Sequence, residues 1–347
     1  MGKLFNRRKS DRDKNSPTEL IQLVETRAAS ETDLDLMIPD MPEDVAEAPV
    51  THDDTDDHSR TSHVTATPDK APPVSPQEAR IYTFVGSSGG VGTTTLCTQI
   101  AYDLAMQCKA NRGLGRHPQD PEVCLIDLNF ENGTCAHHLD LMPSLSLDDL
   151  TQNSGRIDTA FTSALVSTHV SGISLLATPN IPGAMQKVNP HAVMAILDAA
   201  SKLYKYVIVD MPRQELPWSL AVMGGSDFVG LVSELTIPSL HLTRTHIQHA
   251  QSVLGDRTTI EPVISKYERR SFRNALRLSD AEAALERNIW ATICQDADTA
   301  REAINCGEPV GAVRKDSRYA KDARKLVEKL VALHANNDVE NSGSIAA

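Results

Sequence analysis

Long apolar runs are absent from this chain of 347 residues. No run approaches the ~20 residues that a transmembrane helix needs, and no early apolar segment forms the core of a secretory signal. The net charge of −12 at pH 7 does not favour a nucleic-acid coat or a generally basic membrane-binding protein. We therefore expect a cytoplasmic protein whose membrane contact is at most peripheral, and nucleic acid is not the favoured partner.

The chain also lacks any C-x-x-C pair. Several of its six cysteines lie inside apolar runs, as Cys124 does in "VCLIDL". This pattern indicates buried, reduced thiols in a cytosolic protein.

Aromatic residues make up only 4% of the chain, and they are scarce in residues 1–80. Eleven acidic residues and no Lys or Arg lie between Glu31 and Asp57. Such a segment cannot bury enough apolar surface to offset its chain entropy. We therefore expect residues 1–80 to be a disordered acidic tail that ends in the proline-containing linker "DKAPPVSPQEAR".

The first residues differ from the rest of this tail. The segment "MGKLFNRRKSDRDK" sets Leu4 and Phe5 among basic side chains. A solvated terminus is the favoured interpretation. Peripheral contact with anionic lipid at the inner membrane, or with an acidic groove of a partner, is the alternative.

From Ile81 onward, short apolar runs alternate with segments of helical spacing. Near-continuous apolar strands between helices predict an α/β fold with a mostly parallel sheet of about seven strands and helices on both faces. The predicted strands are "IYTFV" (81–85), "VCLID" (123–127), "ISLLAT" (173–178), "YVIVD" (206–210), "FVGLVSE" (228–234), "IEPVIS" (260–265) and "IWATI" (289–293).

The predicted folded domain spans residues 81–335 and is followed by a flexible tail, residues 336–347. Its last segment, "SRYAKDARKLVEKLVALHAN", has the spacing of an amphipathic helix. We expect this helix to dock on the sheet, and membrane targeting is the less favoured alternative.

A glycine-rich loop follows the first predicted strand. In a P-loop, G-x-x-x-x-G-K-[ST] lies between a strand and a helix, and its backbone N–H groups surround phosphates. Its lysine reaches the phosphates and its hydroxyl holds Mg²⁺. The loop here reads Ser88-Gly89-Gly90-Val91-Gly92-Thr93-Thr94-Thr95. Glycines fall at three of the expected places and the Mg²⁺ hydroxyl falls at Thr94, whereas Ser87 replaces the first glycine of the pattern, next to Gly86.

Lysine is missing from this loop. A variant P-loop carries lysines where this chain has Ser88 and Thr93. Since a hydrogen bond to a charged group is worth roughly 1.5–3 kcal/mol, we expect weak triphosphate binding. We also expect slow or absent hydrolysis, because phosphoryl transfer depends on positioning and charge stabilisation. Arg213 is a candidate substitute cation.

Two predicted strands end in aspartate. "CLIDLNFENG" ends its strand at Asp127, and "YVIVDMPR" ends another at Asp210. Ligands of parallel α/β sheets bind at the carboxyl ends of strands, so both side chains should converge with the loop. A carboxylate there can hold Mg²⁺ through water or position an attacking water.

The loop, "LIDLNFENGT", "YVIVDMP" and "SELTIPSL" together resemble the MinD/ParA superfamily of deviant-Walker ATPases, from about Ile81 to about Leu333. Within it they are most similar to the CpaE/TadZ proteins of Flp (tight adherence) pilus assembly. The resemblance implies ATP and Mg²⁺ as cofactors and a homodimer whose halves meet across the nucleotide face. It also implies a role in placing pilus and type II–IV secretion machinery, commonly at a cell pole.

The resemblance assigns roles to individual residues. Asp127 would position water, Thr94 would bind Mg²⁺, and Asp210 would be the Walker B acid that holds Mg²⁺ through water. Ser265 occupies a position where relatives often carry an adenine-reading asparagine. The residues implied in nucleotide binding are Ser88, Gly89, Gly90, Val91, Gly92, Thr93, Thr94, Thr95 and Ser265.

Other functions remain open. An active ATPase switch for division-site placement or DNA partitioning would need a replacement for the lysines. A metabolic ligase or iron–sulfur reductase on the same fold would want Cys97 and Cys135 exposed near a dimer axis. The basic segment "KYERRSFRNALR" is favoured as a solvated surface, with contact to DNA phosphates or to an acidic partner as alternatives.

Overall fold

The computed structural model describes most of the predicted folded domain. It describes residues 79–111, 122–151, 155, 157–255, 258–268 and 276–343, with side chains to residue 333. Residues 1–78 of the predicted tail, residues 269–275 of the basic segment, and residues 344–347 lie outside the described residues.

Within the described residues, eight strands, numbered in chain order with their ranges given at the end of this paragraph, form one sheet in the order β3-β4-β2-β5-β1-β6-β7-β8. Neighbouring strands are parallel except for the antiparallel pair β3 and β4. The predicted mostly parallel sheet is confirmed, with a short added edge strand that the sequence did not reveal. The strands are β1 (Arg80–Gly86), β2 (Val123–Asp127), β3 (Ser167–Thr168), β4 (Ile173–Leu176), β5 (Tyr206–Met211), β6 (Phe228–Glu234), β7 (Thr259–Tyr267) and β8 (Ala291–Cys294).

Helices connect most of these strands. Several begin at a residue whose side chain accepts a backbone N–H of the first turn, such as Asn189, Thr236 and Asp296. The helices are α1 (Thr93–Ala110), α2 (Cys135–His138), α3 (Leu147–Thr151), α4 (Thr159–Ala164), α5 (Pro190–Leu203), α6 (Ser219–Gly224), α7 (Ile237–Leu254), α8 (Leu278–Leu285), α9 (Ala297–Cys306), α10 (Val310–Val313) and α11 (Arg318–Gly343).

The sheet buries apolar side chains on both faces. In β5, Val207 and Val209 pack with residues of α5, α6 and α7, whereas Ile208 packs with residues of α1 and α11 on the opposite face. Because successive side chains of a strand alternate between faces, a strand covered on both sides is apolar throughout. This explains why the central strands could be located from the sequence.

Helix α11 docks against α1 and β8, as the sequence predicted. Its Leu326 and Leu330 are buried, and the Tyr82 hydroxyl donates to the carbonyl oxygen of Leu330 at 3.4 Å. The helix continues to Gly343, past residue 335 where we predicted the domain to end. Among the described residues, no helix combines the length and apolarity needed to cross a membrane.

Strand β6 approaches β1 closely through a glycine. Gly230 pairs in register with Phe84, and a Cβ at Gly230 would lie only 2.6 Å from the Phe84 ring. The absent side chain lets the Phe84 ring, which packs at a tilt against Phe228, fill the space beside the strand. This packing supports the end of β1, from which the glycine-rich loop leaves the sheet.

Candidate nucleotide site

The glycine-rich loop joins the end of β1 to the start of α1. The backbone N–H of Ser87 donates to the Val232 carbonyl oxygen of β6 at 2.8 Å, which ties the loop to the sheet. Gly90 and Gly92 have φ of 76° and 89°, a left-handed backbone that favours glycine. The loop therefore turns tightly and directs the chain into α1.

The start of α1 is open to a ligand. Gly92 is the N-cap residue, and among the described residues no side chain caps this end. The first turn also contains no acidic residue. The first backbone N–H groups of a helix have no partner within the helix, and together with the positive end of its dipole they are suited to bind an anion such as a phosphate.

Asp210 meets the first turn of α1. The Thr94 hydroxyl donates to the Asp210 Oδ2 at 2.6 Å, and Asp210 is buried at the end of β5. Asp127 pairs with Asp210 in the register of β2 and β5. The structure thus brings together the loop, Asp127 and Asp210 at the carboxyl edge of the sheet, as the sequence predicted.

Backbone N–H groups hold Asp127 in place. Its Oδ1 accepts from the N–H of Asn129 at 3.0 Å, and its Oδ2 accepts from the N–H of Cys135 at 3.1 Å. A Cβ at Gly133 would lie 2.5 Å from Asp127 Oδ2, so this close approach requires glycine. Burial raises the pKa of Asp127, and the two backbone hydrogen bonds oppose that increase.

Burial and the neighbouring Asp127 charge raise the pKa of Asp210 to about 7, while the Thr94 hydrogen bond lowers it. Two buried carboxylates side by side are costly when both are ionised. A divalent cation would relieve that repulsion, and an oxygen set made of the Thr94 hydroxyl and the Asp210 carboxylate suits Mg²⁺. These residues therefore fit the ion that the sequence predicted.

Neither residue at the lysine positions supplies a cation. The Ser88 hydroxyl lies 3.4 Å from the Ser239 hydroxyl. The Thr93 Oγ1 lies 2.7 Å from where a Cβ of Gly86 would be, so this side chain packs over the base of the loop. A phosphate in the loop would meet backbone N–H groups and hydroxyls at these positions.

Arg213 is close to the loop. Its Nη1 lies 3.9 Å from the position of a Cβ on Gly89, and its side chain is exposed. The guanidinium is a permanent cation with donors for phosphate oxygens. From the sequence we suggested Arg213 as a substitute for the missing lysines. In the structure its guanidinium lies within reach of a ligand bound at Gly89.

A cluster of serines under the loop was missed from the sequence. The Ser239 hydroxyl, in the first turn of α7, lies 2.9 Å from that of Ser87 and 3.0 Å from that of Ser233, and it accepts the N–H of Glu234 at 3.1 Å. These contacts join the loop to the β6–α7 connection. In the sequence, this contact could have been suspected only from the motif "SELTIPSL", which contains Ser233 and Ser239.

Ser265 lies at the end of β7, buried beside the loop. Its Oγ lies 3.6 Å from the position of a Cβ on Gly92, and Ser265 pairs with Glu234 in the β6–β7 register. Its contact with adenine stays a prediction. The next residue, Lys266, forms an ion pair with Glu234 at 2.7 Å.

His138 contacts the loop helix and was also missed. Its Nδ1 lies 2.8 Å from the Thr134 carbonyl oxygen, so this nitrogen carries the proton and donates. The other nitrogen, Nε2, then accepts from the Thr95 hydroxyl at 3.4 Å. Burial lowers the pKa of His138, which favours this neutral form.

Two thiols lie beside the aspartates. The Cys135 Sγ donates to Asp210 Oδ2 at 3.5 Å, and Cys97 is close enough to interact with the same carboxylate. Both are buried, as are Cys108 and Cys124, whereas Cys306 is exposed, contrary to expectation. The burial of Cys97 and Cys135 does not fit a shared cluster at a dimer axis.

No protein-family model and no curated protein matches this chain. Solved structures do match its fold. A ParA family ATPase from Chlorobium tepidum is 20% identical, with a TM-score of 0.63 over 72% of this chain and 98% of the other. The septum site-determining protein MinD from Pyrococcus horikoshii, complexed with Mg-ADP, is 18% identical, with a TM-score of 0.58 over 73% and 96%.

A third similar structure is an enzyme. Cobyrinic acid a,c-diamide synthase from Mycobacterium smegmatis, with bound ATP analog and magnesium, is 18% identical, with a TM-score of 0.51 over 73% of this chain and 94% of the other. At these identities the likeness concerns the fold. The chain therefore has a ParA/MinD-like P-loop fold, which hosts both positioning ATPases and metabolic enzymes.

Proposed function

We propose that this chain, built on a ParA/MinD-like P-loop fold, is a homodimeric positioning protein of the CpaE/TadZ type. It would bind ATP weakly with Mg²⁺, hydrolyse it slowly or not at all, and help to place or scaffold the Flp pilus secretion machinery. The observation that carries this proposal is a glycine-rich loop between a strand and a helix whose two lysine positions hold uncharged side chains: Ser88, which contacts Ser239, and Thr93, which lies over Gly86.

Nucleotide binding is supported by three groups at one edge of the sheet. The open start of α1 offers backbone N–H groups to phosphates. Thr94 and Asp210 would hold Mg²⁺, which supplies positive charge to the phosphates when it is bound. The Mg-ADP complex of MinD and the ATP-analog complex of the synthase, on the same fold, are consistent with this reading.

Slow hydrolysis follows from the charges at the loop. In phosphoryl transfer the protein mainly positions the reactants and stabilises developing negative charge. Without lysine, the cation nearest to the glycine-rich loop among the contacts described above is the exposed Arg213, and the developing charge would otherwise be stabilised by backbone N–H groups. Asp127 remains at the edge where water would attack, but both of its oxygens already accept backbone N–H groups.

The pilus role is supported by the sequence resemblance of "DMPRQELPWSLAVMGGSDFVGLVSELTIPSLHLTR". In the source organism, a deletion strain is expected to lose surface pili while it divides and segregates DNA normally. A control strain expressing the wild-type gene from a second locus should regain them. A deletion strain with normal pili and misplaced division sites would refute the pilus role.

The alternative function is an active ATPase switch. One observation supports it, the position of the Arg213 guanidinium beside Gly89. A switch would bind ATP more tightly than ADP and would dimerise only with ATP. Calorimetric titration of both nucleotides with Mg²⁺, with sedimentation in parallel, separates the two functions. We expect weak binding and a dimer that is independent of nucleotide, with the Asp210→Asn variant as the control for binding at the site.

A further inference from the structure

Thiols and carboxylates share one buried space beneath the phosphate loop. The Cys135 Sγ and carboxylate oxygens of Asp127 and Asp210 all lie within 4.8 Å of one another, and all three residues are buried. Cys97, on α1, adds a second thiol that interacts with Asp210. We call these four residues the thiol–carboxylate cluster.

The two carboxylates have only uncharged partners. Asp127 accepts backbone N–H groups of Asn129 and Cys135, and Asp210 accepts the Thr94 hydroxyl and the Cys135 thiol. Within the described part of the chain, no ion pair neutralises either of them. Two adjacent buried carboxylates repel each other unless a proton or a cation lies between them.

The spacing suits a small tetrahedral cation. Bonds of about 2.3 Å to sulfur and about 2.0 Å to carboxylate oxygen place the two ligand atoms about 3.5 Å apart in tetrahedral geometry. The Cys135 Sγ and Asp210 Oδ2 are separated by 3.5 Å. The remaining pairs lie within 4.8 Å, and tetrahedral ligands of these types lie about 3.3–3.5 Å apart, so side-chain movements of up to about 1.5 Å would complete the site.

We propose that the thiol–carboxylate cluster binds a divalent cation of the Zn²⁺ class through Cys135, Asp127 and Asp210. Cys135 binds as the thiolate, and its proton leaves to solvent. A thiolate ligand selects Zn²⁺-like ions over Mg²⁺, which takes oxygen ligands. This site shares Asp210 with the proposed magnesium site at Thr94 and Asp210, but it differs from that site in its thiolate ligand.

This inference goes beyond the proposed function because it requires no nucleotide. The cation would link the chain after β2, which carries Cys135, to the end of β5, which carries Asp210. The cation would also coordinate the Asp210 carboxylate, which is a proposed ligand of Mg²⁺. Zinc in the cluster should therefore weaken Mg²⁺-dependent nucleotide binding.

The test uses the full chain without nucleotide, with Cys294 and Cys306 replaced by serine to remove the less buried thiols. Titration with Co²⁺ is expected to give a thiolate-to-metal charge-transfer band that saturates at one equivalent and is displaced by Zn²⁺. Cys135→Ser should abolish the band. Cys124→Ser, a buried thiol on β2 outside the cluster, should keep it.

A band that survives Cys135→Ser, or no band at all, would overturn the proposal. X-ray absorption of the zinc-loaded wild-type protein keeps the test independent of how the variants fold. It should show a sulfur neighbour at about 2.3 Å from zinc, whereas a shell of nitrogen and oxygen alone contradicts the site. Neither result depends on whether the chain binds ATP.

Discussion

The Thr94 hydroxyl donates to the Asp210 Oδ2 at 2.6 Å. This bond joins the first turn of α1 to the end of β5, at the edge where Asp127 pairs with Asp210. A hydroxyl and a carboxylate held together in this way are suitable ligands for one Mg²⁺. The proposed nucleotide site is therefore centred on this pair, although lysine is missing from its loop.

Removing the Thr94 hydroxyl should weaken only the magnesium-dependent part of nucleotide binding. We expect Thr94→Ala to lower the ADP affinity measured with Mg²⁺ by roughly 10- to 100-fold, since an interaction of this type is worth about 1.5–3 kcal/mol. Thr94→Ser keeps the hydroxyl and should bind as the wild type does. Calorimetry with Mg²⁺ and with EDTA measures the difference, and equal affinities for both variants would refute the assignment.

Restoring a lysine should strengthen the site. Thr93→Lys is expected to raise ATP affinity by roughly 10- to 100-fold, because a charged hydrogen bond to the phosphates contributes about 1.5–3 kcal/mol. Thr93→Gln has comparable length without the charge, and it serves as the matched control. If the lysine variant binds no better than the glutamine variant in calorimetry, the missing charge does not limit binding.

The contact between Gly230 and Phe84 predicts a stability change. A Cβ at Gly230 would lie 2.6 Å from the Phe84 ring, so Gly230→Ala forces the packed core to shift and should cost about 1–3 kcal/mol of unfolding free energy. Gly225→Ala is the control, since its nearest atom would be 3.5 Å away. Urea unfolding of both variants measures the two costs, which should differ clearly.

Stability should fall with rising pH because of Asp103. Burial raises its pKa to about 6, while the hydrogen bond from Gln99 lowers it. The folded state holds this proton more tightly than the unfolded chain does, so its contribution is complete below about pH 4 and is lost as pH rises through about 6. Above that pH the buried carboxylate is ionised at a cost.

Asp103→Asn should remove this dependence. The variant is expected to be more stable than the wild type above pH 6, by an amount on the order of 1–3 kcal/mol, and to differ little at pH 4. Asp298→Asn, at an exposed position, should leave the pH profile unchanged. Urea unfolding at pH 4, 6 and 8 measures the profiles, and parallel curves for Asp103→Asn and wild type would contradict the prediction.

The main elements of the fold could be predicted from local pattern. Strands such as β2 and β5 are apolar throughout because both faces of the sheet are covered. The convergence of the loop with Asp127 and Asp210 also followed, since carboxyl ends of parallel strands share one edge. Strand β3, only two residues long, is too short to show any periodicity.

The finer contacts of the site could not be predicted. Ser239 reaches Ser87 across 152 positions, and Cys135 reaches Asp210 across 75. Such pairs arise from tertiary packing of separate elements, and a local pattern carries no information on which distant side chains will meet. Arg213 could be suggested because it lies shortly after Asp210 in the sequence, but its distance from Gly89 is visible only in the structure.

The most direct test of the account is steady-state release of phosphate from ATP by the purified full chain with Mg²⁺. We expect release no faster than that of the Asp210→Asn variant, measured at ATP concentrations where calorimetry shows the wild-type site to be occupied. Turnover at an ordinary enzyme rate, roughly 1 s⁻¹ or more, would contradict the account. It would mean that this loop needs no lysine to support hydrolysis.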